Sequence, residues 1–131
     1  MKNLLLLFFL FIAPYAWAQT QADLNAAAYA DYQKADDELN AVYKKILIQY
    51  KTDKTFITNL KASQRLWISF RDAELQMKYP DREPGYYGSI HPICRANYLE
   101  KLTRNRIEKL REWLTSAAED DACAGSVPTT E

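Results

Sequence analysis

The sequence has little of what most catalytic and metal sites require. Its 131 residues include one histidine, His91, two cysteines, Cys94 and Cys123, and three glycines. One loop histidine does not support a Ser-His-Asp or Cys-His catalytic arrangement. A zinc site needs three or four clustered ligands, which the sequence does not have. No glycine-rich phosphate-binding loop is present either. We therefore expect no enzyme activity, no metal and no cofactor. Only a pocket that gathers His91 with a carboxylate would favour a hydrolase.

An excess of charge of either sign is also absent. The chain has 17 basic and 17 acidic residues. Loss of residues 1–18, whose only charged residue is Lys2, leaves 16 basic against 17 acidic residues, a net charge of −1. Such a balance provides no basic surface for a phosphate backbone, so we do not expect a nucleic-acid partner.

The start of the chain is typical of a secretory signal peptide. Met1-Lys2-Asn3 precedes ten apolar residues, Leu4 to Ala13, and Ala16-Trp17-Ala18 fits the small-x-small cleavage pattern. A membrane anchor is the rival interpretation, but a bilayer span needs about 20 apolar residues. We predict cleavage after Ala18 and a periplasmic or secreted protein without a membrane span. The oligomeric state is left open.

The remaining residues predict an all-α fold, a three-helix antiparallel bundle or hairpin over residues 19–118. From Asp23 to Tyr50, apolar residues recur every three or four positions without Gly or Pro. A second helix follows Thr52-Asp53 and ends near Tyr79-Pro80, and a long loop covers residues 80–92. A third helix starts around 89–92 and continues to Trp113 or Leu114. Residues 119–131 are predicted to be a polar tail with little to bury. The predicted core residues of the second helix are Phe56, Leu60, Trp67, Phe70 and Met77.

Several polar residues share helix faces with this predicted core. Arg106 lies between Leu102 and Leu110, and because an uncompensated buried charge costs several kcal/mol, we expect Asp36 or Asp72 as its partner. We predict a polar network that fixes how the helices register, with Arg71, Arg106 and Asp36 in one buried or half-buried group. Its predicted members are Asp36, Asn40, Tyr43, Gln64, Arg71, Asp72, Thr103 and Arg106.

The two cysteines could form a disulfide in an exported protein. A helix from Cys94 to Ala118 would be about 36 Å long, and the five remaining residues could return only about 17 Å. If the helix stops by Leu114, its length from Cys94 is about 30 Å. The nine residues from there to Cys123 can extend about 31 Å, which is barely enough to bring the two cysteines together. Free thiols and a disulfide between chains are the alternatives.

A set of motifs in order resembles a known family. They are "ADDELNAVYKKI" (35–46), "LKASQRLWISFRDAE" (60–74), "GSI" (88–90), Cys94 and "LTRNR" (102–106). Together they are similar to the LprI-like lysozyme-inhibitor family, over about residues 22 to 115. The matching positions are Asp36, Leu39, Asn40, Tyr43, Gln64, Trp67, Phe70, Arg71, Asp72, Gly88, Ser89, Cys94, Thr103 and Arg106.

The resemblance implies a small all-helical domain in the periplasm or on the envelope, in a family named after a member that blocks lysozyme. This chain has Leu75 where the family usually has a cysteine, and the early cysteines are absent. The family's usual disulfide scheme is therefore broken.

The loop is the place where we expect a partner to bind. Tyrosine is a common anchor of protein interfaces, and a lysozyme cleft carries two catalytic carboxylates that a protruding loop could reach. The alternative is that Gly88-Ser89 only turns the chain and caps the third helix while the tyrosines pack on the bundle. We predict a lysozyme inhibitor, or else an envelope assembly module with another partner. The partner-binding candidates are Arg82, Tyr86, Tyr87, Ser89 and His91.

Overall fold

The computed structural model describes residues 15–130, with side chains from Thr20 onward. Helix α1 spans Tyr15–Gln49, α2 spans Lys54–Lys78 and α3 spans His91–Arg111, and a short 3-10 helix, Glu112–Leu114, follows. Over the described range no strand forms, although Ala117 and Thr129 make an isolated bridge. The predicted all-α fold with a long second loop is confirmed.

Local sequence rules explain most helix boundaries. The Asp53 carboxylate caps α2 by accepting a hydrogen bond from the Phe56 N–H at 2.9 Å. Helix α2 ends at Lys78, two residues before Pro80, and α3 carries Pro92 in its first turn, where the missing N–H costs no hydrogen bond. Ser89 makes no capping bond, because the residue before α3 is Ile90, which has no polar side chain. The cap of the third helix at Gly88-Ser89, which belonged to the alternative interpretation of the loop, is therefore not formed.

Helix α1 starts earlier than its predicted first residue, Asp23. It begins at Tyr15, so the predicted cleavage point after Ala18 lies within the helix. The remainder of the predicted signal peptide, residues 1–14, lies outside the described residues. None of the described helices has an apolar stretch long enough to cross a membrane.

Contacts between helices define the direction of each one. Gln49 at the end of α1 donates to the Trp113 carbonyl just after α3, so α1 and α3 run parallel. Tyr98, near the start of α3, donates to Glu74 near the end of α2, so α2 runs antiparallel to α3. The chain therefore runs up, down and up through the bundle.

The core forms mainly where α1 and α3 meet. Ile46 and Leu110 are almost fully buried there, and each large apolar side chain contributes about 1.5–3 kcal/mol on burial. Helix α2 adds Leu60 to the same cluster, with Phe56 and Trp67 packed against its edge. The six buried members of the cluster are Leu39, Val42, Ile46, Leu60, Ile107 and Leu110.

The segment after Ser116 is not a free tail. The Ala117 N–H donates to the Pro128 carbonyl at 2.7 Å, which folds the segment into a loop. The Tyr50 hydroxyl donates to the Ser126 carbonyl at 2.9 Å, and Trp113 Nε1 donates to Ser126 Oγ at 2.9 Å. The residues predicted to have little to bury therefore cover one end of the bundle.

Candidate functional site

Trp67 lies at the centre of a half-buried polar cluster between the helices. The guanidinium carbon of Arg71 is 5.3 Å from the centre of the Trp67 ring, and that of Arg106 is 5.9 Å away. Both distances are within the range of a cation–π contact. We call Trp67, Arg71, Arg106, Asp36 and Gln64 the Trp67 cluster.

Arg71 is a charge-balanced arginine. Its side chain is 13% exposed, and its guanidinium nitrogens lie 2.8 Å from Asp72 Oδ1 and 3.8 Å from Asp36 Oδ1. Asn40 in turn donates to Asp36 Oδ2 at 3.3 Å. The α1–α2 contact therefore includes an ion pair between helices, and Asp72 provides the closer carboxylate from the neighbouring position on α2.

Arg106 has a different set of partners. Its Nε donates to Gln64 Oε1 at 3.1 Å and its Nη2 to Ser63 Oγ at 3.0 Å, both of them neutral groups. The prediction that Asp36 or Asp72 pairs with Arg106 is wrong, because both carboxylates lie against Arg71. Burial disfavours the charged form and lowers the pKa of the Arg106 guanidinium, which stays protonated at neutral pH.

The other two predicted network members do not join the cluster through hydrogen bonds. Tyr43 is half-buried and packs against the hydrophobic core. Thr103 is fully buried, and its hydroxyl has no hydrogen-bond partner among the described residues. The structure therefore connects six of the eight predicted residues through contacts with Arg71 or Arg106 and their partners, and it places Tyr43 and Thr103 in the packing of the core.

The loop between α2 and α3 is anchored by aromatic rings. Tyr87 stacks on His91 at 4.4 Å between ring centres, and the Tyr87 hydroxyl donates to the Pro80 carbonyl at 2.7 Å. Tyr79 contacts both rings edge-on, at 5.7 Å from Tyr87 and 5.2 Å from His91. Gly85 and Gly88 adopt positive φ of 84° and 73°, which L side chains rarely adopt. The loop thus has a defined shape.

This anchoring divides the five loop candidates into two groups. Tyr87 and His91 are half-buried against Tyr79, as the alternative interpretation of the loop predicted. Arg82, Tyr86 and Ser89 are exposed, and the Arg82 guanidinium lies 5.8 Å from the Tyr86 ring centre. Of the five candidates, Arg82, Tyr86 and Ser89 are therefore the ones whose side chains are accessible.

His91 lacks the partners that a general base requires. The loop encloses a cavity of about 200 Å³ that is lined by His91 together with Asp81 and Glu83. Neither carboxylate hydrogen-bonds the imidazole, and His91 Nε2 is buried without a partner in the described part of the chain. The cavity thus gathers His91 with carboxylates, as the hydrolase interpretation required, but among the described residues no carboxylate orients the imidazole as it would in a general base.

Both cysteines are free thiols in the structure. Cys94 lies in the first turn of α3, and about 26 Å of helix separates it from Arg111 at the far end. Cys123 lies in the segment that hydrogen-bonds to Tyr50 and Trp113 at that far end. Of the possibilities left open by the sequence, the disulfide within one chain is therefore not formed in this fold.

A groove between α2 and α3 was not predicted from the sequence. Its volume is about 370 Å³, and its apolar side consists of Phe56, Leu60, Leu110 and Trp113. Arg106 and Ser63 lie along its polar side. The feature of the sequence that could have indicated the groove is Arg106, a charged residue within an apolar stripe. The groove was missed because Arg106 was expected to pair with a carboxylate of the bundle.

Helix α2 also carries an exposed apolar stripe, and two of its residues, Phe70 and Met77, were predicted to be in the core. Phe70 is 60% exposed and Met77 is 74% exposed, so their predicted burial is wrong. Leu66 is 72% exposed, and Ala73 between them is exposed as well. Their spacing of four, three and four residues puts Leu66, Phe70, Ala73 and Met77 on one side of the helix, which we call the α2 stripe.

Over the described residues, no group of three or more His, Cys, Asp or Glu side chains is placed to hold a metal ion.

Two comparisons with known proteins give matches. The family model described as lysozyme inhibitor LprI matches residues 14–110. An uncharacterized protein of Rhizobium meliloti (strain 1021), R02472, is 33% identical over 111 residues, which cover 76% of this chain and 78% of that protein. No solved structure matches the chain.

Proposed function

Because this chain belongs to the lysozyme inhibitor LprI family, we propose that it is exported and inhibits a lysozyme or a related cell-wall hydrolase. The observation that carries the proposal is the family match, which covers all three helices and the loop between α2 and α3 almost completely. The predicted signal peptide supports export to the compartment where such hydrolases act.

The α2–α3 loop is the proposed inhibitory element. Arg82 is exposed beside the Tyr86 ring, and Tyr86 is 67% exposed. A glycosidase cleft contains a pair of carboxylates, which a guanidinium can bind through two parallel hydrogen bonds. The exposed tyrosine would add apolar contact area with little loss of side-chain entropy.

The anchoring of the loop supports this role. Tyr87 is hydrogen-bonded to the Pro80 carbonyl and stacked on His91, so the backbone that carries Tyr86 is ordered before any partner arrives. Binding then requires less ordering of the loop, which favours affinity. Tyr87 and His91, proposed from the sequence as partner-binding residues, accordingly support the loop rather than contact the partner.

A turbidity assay with the mature chain, residues 19–131, against a panel of lysozymes tests the proposal. We expect inhibition at micromolar protein. Replacing Arg82 and Tyr86 together by alanine should weaken inhibition at least about tenfold, which corresponds to 1.4 kcal/mol. The matched control replaces an exposed arginine and an exposed tyrosine elsewhere, Arg65→Ala with Tyr29→Ala.

Two results would contradict the proposal in different ways. Absence of inhibition of every enzyme in the panel would remove the inhibitor function. Inhibition that survives the Arg82→Ala, Tyr86→Ala change would leave the function but exclude the loop as its surface.

The α2 stripe favours a second candidate function, an envelope assembly module with another protein partner. A contiguous exposed apolar surface is typical of a protein interaction site. If the stripe is the functional surface, replacing Phe70 and Met77 by serine should abolish capture of a periplasmic partner. In that case neither the native chain nor this variant should inhibit lysozyme.

A further inference from the structure

The groove between α2 and α3 has the dimensions and composition of a small-molecule site. Its volume of about 370 Å³ lies within the range of roughly 300–1,000 Å³ that is usual for ligand pockets. Phe56 and Trp113 provide aromatic surface, and Leu60 and Leu110 provide aliphatic surface. Such sites combine an apolar lining with a few polar groups that orient the ligand.

Arg106 provides a cation that is not neutralised within the fold. A guanidinium has five N–H donors, and Arg106 uses one for Gln64 and one for Ser63. No carboxylate among the described residues lies within ion-pair distance of it. By contrast, Arg71, which also contacts the Trp67 ring, lies against the carboxylates of Asp36 and Asp72. Three N–H donors of this half-buried cation therefore have no partner among the described residues.

The acidic group of the groove lies away from this cation. Asp53 also lines the groove, but it is ten residues before Ser63 on α2, or about 15 Å along the helix. One of its carboxylate oxygens already accepts the Phe56 N–H. The groove thus has a cationic end at Arg106 and Ser63, and an apolar middle.

We propose that this groove binds a small organic acid whose carboxylate contacts Arg106 and Ser63 and whose apolar body packs against Phe56, Leu60 and Trp113. A carboxylate accepts two parallel hydrogen bonds from a guanidinium, which fixes its orientation. The site lies near the α2 start and the α3 end, whereas the inhibitory loop joins the α2 end to the α3 start. It is therefore a binding site separate from the proposed lysozyme-binding surface.

A matched pair of ligands tests the charge requirement. The mature chain, labelled with nitrogen-15, is titrated with phenylbutyrate and separately with phenylbutanol, which has a similar apolar body without the carboxylate. We expect phenylbutyrate to shift the indole N–H signal of Trp113 and to bind at least about tenfold more tightly than the alcohol. Equal affinity of the two, or absence of a Trp113 shift with the acid, would overturn the proposal.

Three variants separate the contributions of charge and space. Arg106→Gln should abolish the preference for the acid, whereas Arg71→Gln, which changes the other arginine on Trp67, should leave it intact. Asn59→Trp places a large side chain at an exposed position of the groove wall and should weaken both ligands while keeping Arg106.

The variants remain decisive if Arg106→Gln fails to fold. Unchanged binding of the acid to Asn59→Trp would by itself exclude the groove as the site. Because Asn59 and Arg106 are outside the loop, the test is independent of lysozyme inhibition, and either proposal can fail without the other.

Discussion

Helices α1 and α2 both pack against α3, but they bury different shares of their apolar side chains. On α1, the stripe that contains Leu39, Val42 and Ile46 is buried along its length. On α2, Leu60 and Leu75 are buried, whereas Phe70 and Met77 are exposed on another side of the helix. Helix α2 therefore has more apolar surface than the bundle core requires, and the excess is available for binding another molecule.

The largest expected effect is at the α1–α3 contact. Ile46→Ala should lower the free energy of unfolding by about 2–5 kcal/mol, because it leaves a cavity in the centre of the core. Ile48→Ala, two residues along the same helix but exposed, should change it by less than about 0.5 kcal/mol. Urea unfolding of the mature chain measures both. Similar losses for the two variants would mean that α1 is oriented differently.

The next effect concerns the attachment of α2 to α3 through Arg106. Arg106→Leu should cost about 1–3 kcal/mol, because it leaves the buried Gln64 side chain without its hydrogen-bond donor. Adding Gln64→Leu should recover most of that loss, since both polar partners are then removed. Thermal unfolding provides the double-mutant cycle. Unchanged stability of Arg106→Leu would count against a stabilising role for the Trp67 cluster.

A smaller effect is expected where the C-terminal segment contacts the bundle. Tyr50→Phe removes the hydroxyl whose one hydrogen lies between the Ser126 carbonyl, at 2.9 Å, and the Trp113 carbonyl, at 3.2 Å, and it should cost about 0.5–1.5 kcal/mol. Tyr29→Phe changes an exposed ring and is the matched control. Urea unfolding at pH 8 measures the difference, and equal stability of the two variants would mean that these bonds contribute nothing.

The same tyrosine predicts a dependence on alkaline pH. Burial raises the pKa of Tyr50 above its ordinary value of 10.0, so the folded state favours the neutral phenol. Its contribution is present below pH 10 and is lost as pH rises from there through the raised pKa. The stability gap between the native chain and Tyr50→Phe should therefore narrow as pH rises above 10. A gap that widens would contradict this sign.

The smallest expected effect is on the α2 stripe. Phe70→Ser should change the free energy of unfolding by less than about 0.5 kcal/mol, because the ring is already largely in solvent. Leu60→Ala on the same helix should cost about 2–5 kcal/mol. A loss above about 1 kcal/mol for Phe70→Ser would mean that the stripe packs against part of the chain.

Much of the fold was predictable because its signals are local. The Asp53 cap, Pro80 and Pro92 mark helix ends through the chemistry of a few neighbouring backbone groups. The α1 stripe was predicted correctly because it is the main apolar stripe of that helix. For α2, apolar residues occupy two stripes, and the prediction took Phe70 and Met77 from the wrong one.

The candidate site was predictable only in part. The polar residues around Trp67 were identified because charged residues at core spacing are unusual. The sequence did not show whether Arg71 or Arg106 pairs with the carboxylates. Asp36 lies on α1, so its partner depends on how α1 faces α2. The loop candidates were identified by composition, but only tertiary contacts separate the supporting Tyr87 from the exposed Tyr86.

By itself, the sequence determined three helices, their approximate ends, the loop between α2 and α3, and the family to which the chain belongs. These features follow from helical periodicity, capping and ordered motifs, which need no knowledge of distant residues. The tertiary structure alone decided which side of α2 is buried, that Arg106 bonds to Gln64 and Ser63 and not to a carboxylate, and that Ser126 contacts Tyr50 and Trp113. The physical reason is that helical spacing fixes which side chains share a side, whereas the side that is buried depends on contacts between residues far apart in the chain.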